Sequence, residues 1–172
     1  MSKHRTLQAA LLVLCTLSLP AFSDTGDISK SSKVAVYTEA QAARGKVAVE
    51  SSCAICHLQN LRGRVGAEDE EPAMQTLPRK FQDFIKTGYV PPLVGEEFLA
   101  KWSGKPVVEF VTHVAGASKS FPTAGMDEQT WAEIGAYLLQ MNGAPAGDQE
   151  LTASTTATVD AVVGPLKVAA AR

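Results

Sequence analysis

Apolar residues recur at helical spacing in several stretches, separated by segments dense in Gly, Pro and acidic residues. An apolar run from Leu7 to Leu19 follows Lys3 and Arg5 and ends at Pro20 and the small-residue site Ala21-Phe22-Ser23. That order predicts a secretory signal peptide over 1–23, cleaved after Ser23. The run is too short for a comfortable bilayer span. Leu12-Val13-Leu14 lacks the small residues expected before a lipidated Cys15. Residues 24–37 are polar and read as a flexible leader. Thr38, with Gln41 three residues on, reads as an N-cap and capping box. The helix it opens runs through Ala40, Ala43, Val47 and Val49. Gly45 inside that helix costs about 1 kcal/mol relative to Ala. It marks either a close contact with another helix or a tolerated weak spot.

Residues 58–90 read as mostly irregular, punctuated by Gly63, Gly66, Pro72 and Pro78. The acidic run Glu68-Asp69-Glu70-Glu71 reads as a solvated loop, with a docking patch as the alternative. Arg79 to Lys86 predicts a short amphipathic helix with Phe81, Phe84 and Ile85 on its apolar side. Pro91-Pro92-Leu93-Val94-Gly95 is stiff and extended. A short helix follows over Glu96 to Trp102, stopped near Gly104, and another over Val107 to Val114 with Pro106 at its first turn. Ala115 to Gly125 reads as a loop. Asp127 to Met141 is the clearest helix: Trp131, Ile134, Leu138 and Met141 fall on one stripe, and Asn142-Gly143 ends it. Residues 148–172 are rich in Ala, Thr and Val without periodicity and read as a disordered tail. No two segments read as paired strands, so the class is all-α, with one domain over 38–147.

Composition narrows the picture. The 172-residue chain carries a formal charge of −2, and loss of Lys3 and Arg5 with the signal leaves the mature chain near −4. Bulk charge therefore argues against nucleic-acid binding and suits an exported protein that docks through local patches. Aromatic residues make up 6% of the chain, so a bound prosthetic group would supply much of the core.

The candidate chemistry lies in Cys53-Ala54-Ile55-Cys56-His57. C-x-x-C-H is the attachment string of a c-type haem. Two thiols one helical turn apart form thioethers with the two vinyl groups of one porphyrin, and the next residue supplies an imidazole to the iron. A zinc site would need about four ligands, and the only other cysteine is Cys15. A thioredoxin-like dithiol would be expected near a βαβ pattern, and none is visible. Export fits covalent haem. In an oxidising compartment Cys53 and Cys56 would otherwise tend to pair.

With these elements in place, residues 38–147 resemble a class I cytochrome c. They are most similar to the small periplasmic cytochromes that accept electrons from quinoprotein alcohol dehydrogenases. Gly45 stands eight residues before Cys53, as the helix-crossing glycine does in such proteins. Ala136-Tyr137-Leu138 matches the aromatic-bearing final helix that packs on that glycine. Pro91-x-Leu93-x-Gly95 matches the segment whose proline carbonyl accepts the N–H of the proximal histidine. Phe98-x-x-x-Trp102-Ser103-Gly104-Lys105 and Leu138-Leu139-Gln140-Met141-Asn142-Gly143 match the subgroup. The resemblance implies one haem c bound through Cys53 and Cys56, with His57 as proximal iron ligand and Pro91 behind it. It leaves Trp102 either near a propionate or as a packed core aromatic.

Two departures stand out. His57 and Pro91 are 34 residues apart where the family has about a dozen between them, so some twenty extra residues lie near one side of the haem. The Met-Pro pair that normally supplies the sixth ligand is absent from the loop before the last helix. Met126 is the only Met there, and its competing role is a hydrophobic staple. His113 is the alternative ligand, its competing role a partly exposed helical residue. Lys119 would have to lose its proton. An open iron walled by Phe121 is the remaining arrangement.

The expectation is a soluble periplasmic electron carrier and not an enzyme. It would pass single electrons from a quinoprotein dehydrogenase to another cytochrome or a terminal oxidase. The alternative is a haem-based binder or sensor of a small gas with an open sixth position. A peroxidase is weaker, since no distal acid–base pair is evident.

Overall fold

The computed structural model describes residues 33–65, 89–117 and 125–165, together with Arg79 and Gln82. Helix α1, Glu39–Ser52, begins where Thr38 Oγ1 accepts from Gln41 N at 3.1 Å. Only that half of the expected capping box forms, because the Gln41 side chain turns inward. The helix buries Gln41, Ala42, Gly45 and Val49, a stripe at helical spacing. A four-residue turn of helix, α2 (Ala54–His57), follows directly.

Two short strands, β1 (Arg64–Val65) and β2 (Tyr89–Val90), pair antiparallel, with Arg64 opposite Val90 and Val65 opposite Tyr89. This corrects the expectation of no strand pairing, although the described residues remain predominantly helical and the class all-α. Two-residue strands carry too little alternation to register as a pattern. The ribbon brings together the two ends of the long segment after the cysteine motif. The helix expected over 79–86 lies outside the described residues except at Arg79 and Gln82, both helical.

Helices α3 (Glu96–Trp102) and α4 (Val107–Ala117) follow. The first has the expected bounds, and the second runs three residues further than expected. Phe98 of α3 meets Phe110 of α4 edge to face, with ring centroids 5.1 Å apart. Helix α5, Glu128–Met141, is capped by Asp127, whose Oδ1 accepts from Thr130 N at 2.8 Å. Trp131, Ile134 and Leu138 of the expected stripe are buried, but Met141 is 42% exposed.

Helix α5 is covered on more than one side. Glu133, Ala136, Tyr137 and Leu139 are buried as well. One cover is α1. A Cβ built on Gly45 would lie 1.8 Å from the Glu133 carbonyl oxygen and 3.0 Å from Ile134 N. Only glycine permits backbones to approach so closely. The contact falls on the helix expected to pack on Gly45, one turn before Tyr137.

The other cover is the C-terminal segment, and here the reading of a disordered tail fails over 148–165. Leu151, Val159, Val162 and Val163 are buried, the last three on a short helix α6 (Val159–Val163). The segment behaves as a strap. Val107 N donates to Ala157 O and Val159 N to Lys105 O, each at 2.9 Å, flanking a bridge between Pro106 and Thr158. Gly104 N donates to Asp160 Oδ1 at 2.8 Å. The end of the expected leader is also packed. Val36 and Tyr37 are buried, and Tyr37 OH donates to Ala144 O at 2.7 Å. Burial pushes the Tyr37 phenol up to about 12, with Glu39 adding to the shift. Packed residues thus extend beyond 38–147 on both sides, to Val36 and to Val163. Residues 1–32 and 166–172, including the expected signal peptide, lie outside the described residues. Among those described, no helix is long and apolar enough to cross a membrane.

Candidate functional site

Helix α1 delivers the cysteine motif. Cys53 caps it, its N–H bonded to Val49 O at 2.8 Å, and Cys53 O accepts from Cys56 N at 3.1 Å and His57 N at 2.9 Å. Cys53, Cys56 and His57 therefore share one tight turn, all half-buried. Burial first, and then the neighbouring Cys56, pushes the Cys53 thiol up to about 11. Nucleophilic redox cysteines need the opposite shift, so the environment disfavours a thioredoxin-like dithiol. Among the described residues, no three His, Cys, Asp or Glu side chains converge to hold a metal ion.

After His57 the chain reverses abruptly. Leu58 has φ 65° and ψ 164° and Leu61 has φ 58°. Leu58 occupies a region that is essentially reserved for glycine and costs about 1–3 kcal/mol. The surroundings hold it there. Leu61 N bonds Leu58 O and Gly63 N bonds His57 O, each at 3.1 Å. Gly63 lies beneath the returning strand, where a Cβ would stand 2.1 Å from Val90 O.

The reversal sets the histidine against the proline segment. His57 Nδ1 lies 2.8 Å from Pro91 O. A carbonyl only accepts, so Nδ1 carries the proton and the imidazole lone pair is on Nε2. This tautomer suits a metal ligand whose other nitrogen is anchored. Separation by 34 residues does not prevent the contact, because the ribbon closes that excursion before Pro91.

Of the remaining candidates, Trp102 is a core residue, 5% exposed. Its ring meets Phe110 at 5.4 Å and His113 at 5.1 Å, and the ammonium groups of Lys101 and Lys105 lie 5.1 and 5.0 Å from its centroid. His113 is exposed on α4, with Nε2 3.2 Å from Lys101 Nζ. Partial burial, then Lys101 and Lys105, hold its pKa below the ordinary histidine value against an opposing effect of Glu109. Met126 is half-buried against the core, next to the α5 cap. Lys119 and Phe121 lie outside the described residues.

Asn142, which reads from sequence only as a helix stop, is also part of this region. Its side chain bonds Leu93 O at 3.0 Å and Gly95 N at 2.9 Å. No local pattern announces a contact nearly fifty positions back along the chain. A cavity of about 320 Å³ between α4, α5 and the strap, lined in part by Val111, Trp131 and Leu151, lacks the cysteine-motif residues in its lining. No protein-family model, curated protein or solved structure matches the chain.

Proposed function

We propose that this chain is a monohaem c-type cytochrome of class I build that carries single electrons in the periplasm. The observation that carries the reading is the His57 Nδ1–Pro91 O hydrogen bond, at 2.8 Å, directly after a C-x-x-C pair. A redox dithiol does not call for that tautomer, and a zinc site would need about four ligands, whereas no three His, Cys, Asp or Glu side chains converge among the described residues. The α1–α5 crossing at Gly45, eight residues upstream of Cys53, supports the class I build.

The residues fit the group they would hold. Cys53 and Cys56 would tether haem c through two thioethers, and His57 Nε2 would bind its iron. When bound, the haem supplies a reversible one-electron couple. The chain's own part is to orient and to tune. Pro91 O fixes the ring plane of His57 and raises its basicity, and the turn that follows α1 holds both sulfurs together. No acid, base or nucleophile is required of the chain, which is therefore a carrier and not an enzyme. The donor is a quinoprotein alcohol dehydrogenase and the acceptor another cytochrome or a terminal oxidase, as the resemblance implies. The apolar run at 7–19 directs export.

A second reading, a small-gas binder with an open sixth position, is favoured by one observation. His113, the alternative to Met126, is exposed and engaged with Lys101 Nζ at 3.2 Å. One experiment tests both. Haem should remain bound after denaturation and acid–acetone extraction, and Cys56→Ser should weaken that attachment. A six-coordinate low-spin spectrum unmoved by carbon monoxide supports the carrier. Rapid carbon monoxide binding to a high-spin form supports the gas binder. Loss of the low-spin spectrum in Met126→Ala or in His113→Ala assigns the sixth ligand. A chain from which all haem is extracted sinks both readings.

A further inference from the structure

The loop that presents Pro91 to His57 is itself held from across the fold. Pro91 and Pro92 have no N–H, so neither can anchor the loop by donating. Two of the next three residues do so. Leu93 N donates to Leu61 O at 2.8 Å, and Gly95 N donates to Asn142 Oδ1 at 2.9 Å. The Asn142 amide also donates from Nδ2 to Leu93 O at 3.0 Å and to Leu138 O at 2.8 Å. Its orientation is fixed by chemistry, since an N–H only donates and a carbonyl only accepts. One side chain therefore uses both of its N–H groups and its oxygen to join the last turn of α5 to both ends of Leu93-Val94-Gly95.

These contacts close a frame. Helix α1 runs from the Gly45 crossing into Cys53 and His57. Helix α5 runs from the same crossing to Asn142, and Asn142 holds the loop that brings Pro91 back to His57. We propose that Asn142 is a positioning residue for His57: by fixing Leu93 and Gly95 it aims the Pro91 carbonyl at the imidazole and sets the strength of that ligand. The proposal rests on the reading of His57 as an iron ligand.

Weakening the Nδ1 hydrogen bond lowers the basicity of the ligand. It withdraws support from the ferric state, so the midpoint potential rises. The test compares haem-loaded wild type, Asn142→Ala and Asn142→Asp with Gln41→Ala. The last variant loosens the strap at the opposite end of α1 from Cys53 and leaves the loop contacts alone. Potential, thermal midpoint and amide exchange at Gly95 are read on each. Asn142→Ala is expected to raise the potential and to speed Gly95 exchange about five- to tenfold. Asn142→Asp keeps the acceptor for Gly95 N but loses the donor to Leu93 O, and is expected to fall between; it is read alone if the alanine variant does not accumulate. Gln41→Ala is expected to lower the thermal midpoint with the potential unmoved. Asn142 variants whose thermal midpoint falls while potential and Gly95 exchange stay at wild-type values overturn the positioning role alone. A wild-type chain without covalent haem overturns the cytochrome reading, and this proposal with it.

Discussion

Gln41 and Leu151 exchange two buried hydrogen bonds, Gln41 Nε2 to Leu151 O at 2.9 Å and Leu151 N to Gln41 Oε1 at 2.7 Å. The amide imitates one rung of a β-ladder and fixes the strap to α1. Replacing it strands a buried backbone N–H and C=O. Gln41→Ala should cost about 2–4 kcal/mol, read as a lower denaturant midpoint. It should also open a protease site within 148–158. An unchanged midpoint with no new cleavage would show that the strap adheres without this pair.

Gly45 is the least replaceable position of the helix crossing. A Cβ there would stand 1.8 Å from the Glu133 carbonyl oxygen, a backbone atom that cannot swing aside as a side-chain tip can. Gly45→Ala would gain about 1 kcal/mol in helix propensity but must push α1 off α5. The expected net loss exceeds about 3 kcal/mol, seen as a collapsed thermal transition or failure to accumulate. A stable alanine variant would contradict the crossing described.

The β1–β2 ribbon separates the geometry at His57 from the sequence between Val65 and Tyr89. Those two residues stand opposite one another, so residues 66–88 can be replaced by Asn-Gly, the preferred two-residue hairpin turn. The shortened chain should keep its thermal midpoint within a few degrees and retain haem attachment. Loss of both would mean that the excised residues are needed to hold the His57 turn.

Asp160 should contribute an acid-sensitive part of the strap's hold. Gly104 N–H first, then the Thr158 hydroxyl, keep its carboxyl below the usual carboxylate range. A depressed folded-state pKa gives stability that is complete above the unfolded value, near 4, and lost as pH falls through the folded value. The gap between wild type and Asp160→Asn should therefore be largest near neutrality and close below about pH 4. A gap independent of pH would mean that the carboxylate charge plays no part.

The legible parts of the fold were those built from local signals. Asp127 and Asn142-Gly143 bound α5, Pro106 precedes α4, and the Gly45 spacing pointed to a crossing that exists. The strap was not legible, because its order comes from partners such as Gln41 and Lys105, far away in sequence, and not from its own periodicity. The ribbon was too short to show alternation. At the site, Cys53, Cys56, His57 and Pro91 were readable as a pattern, and the His57–Pro91 contact is present. Asn142 was not, since a cap residue and a residue reaching across the molecule are written with the same letter.

The strap has a further consequence for how the chain is strung. Val34 N bonds Ala161 O at 2.9 Å, and Lys33 Cε would lie 3.3 Å from a Cβ on Gly164. The chain at Lys33–Val34 therefore lies beside Ala161–Gly164, and a short linker can join Pro165 to Lys33. New termini opened between Val65 and Tyr89 would give a circular permutant in which the polypeptide starts and stops beside His57.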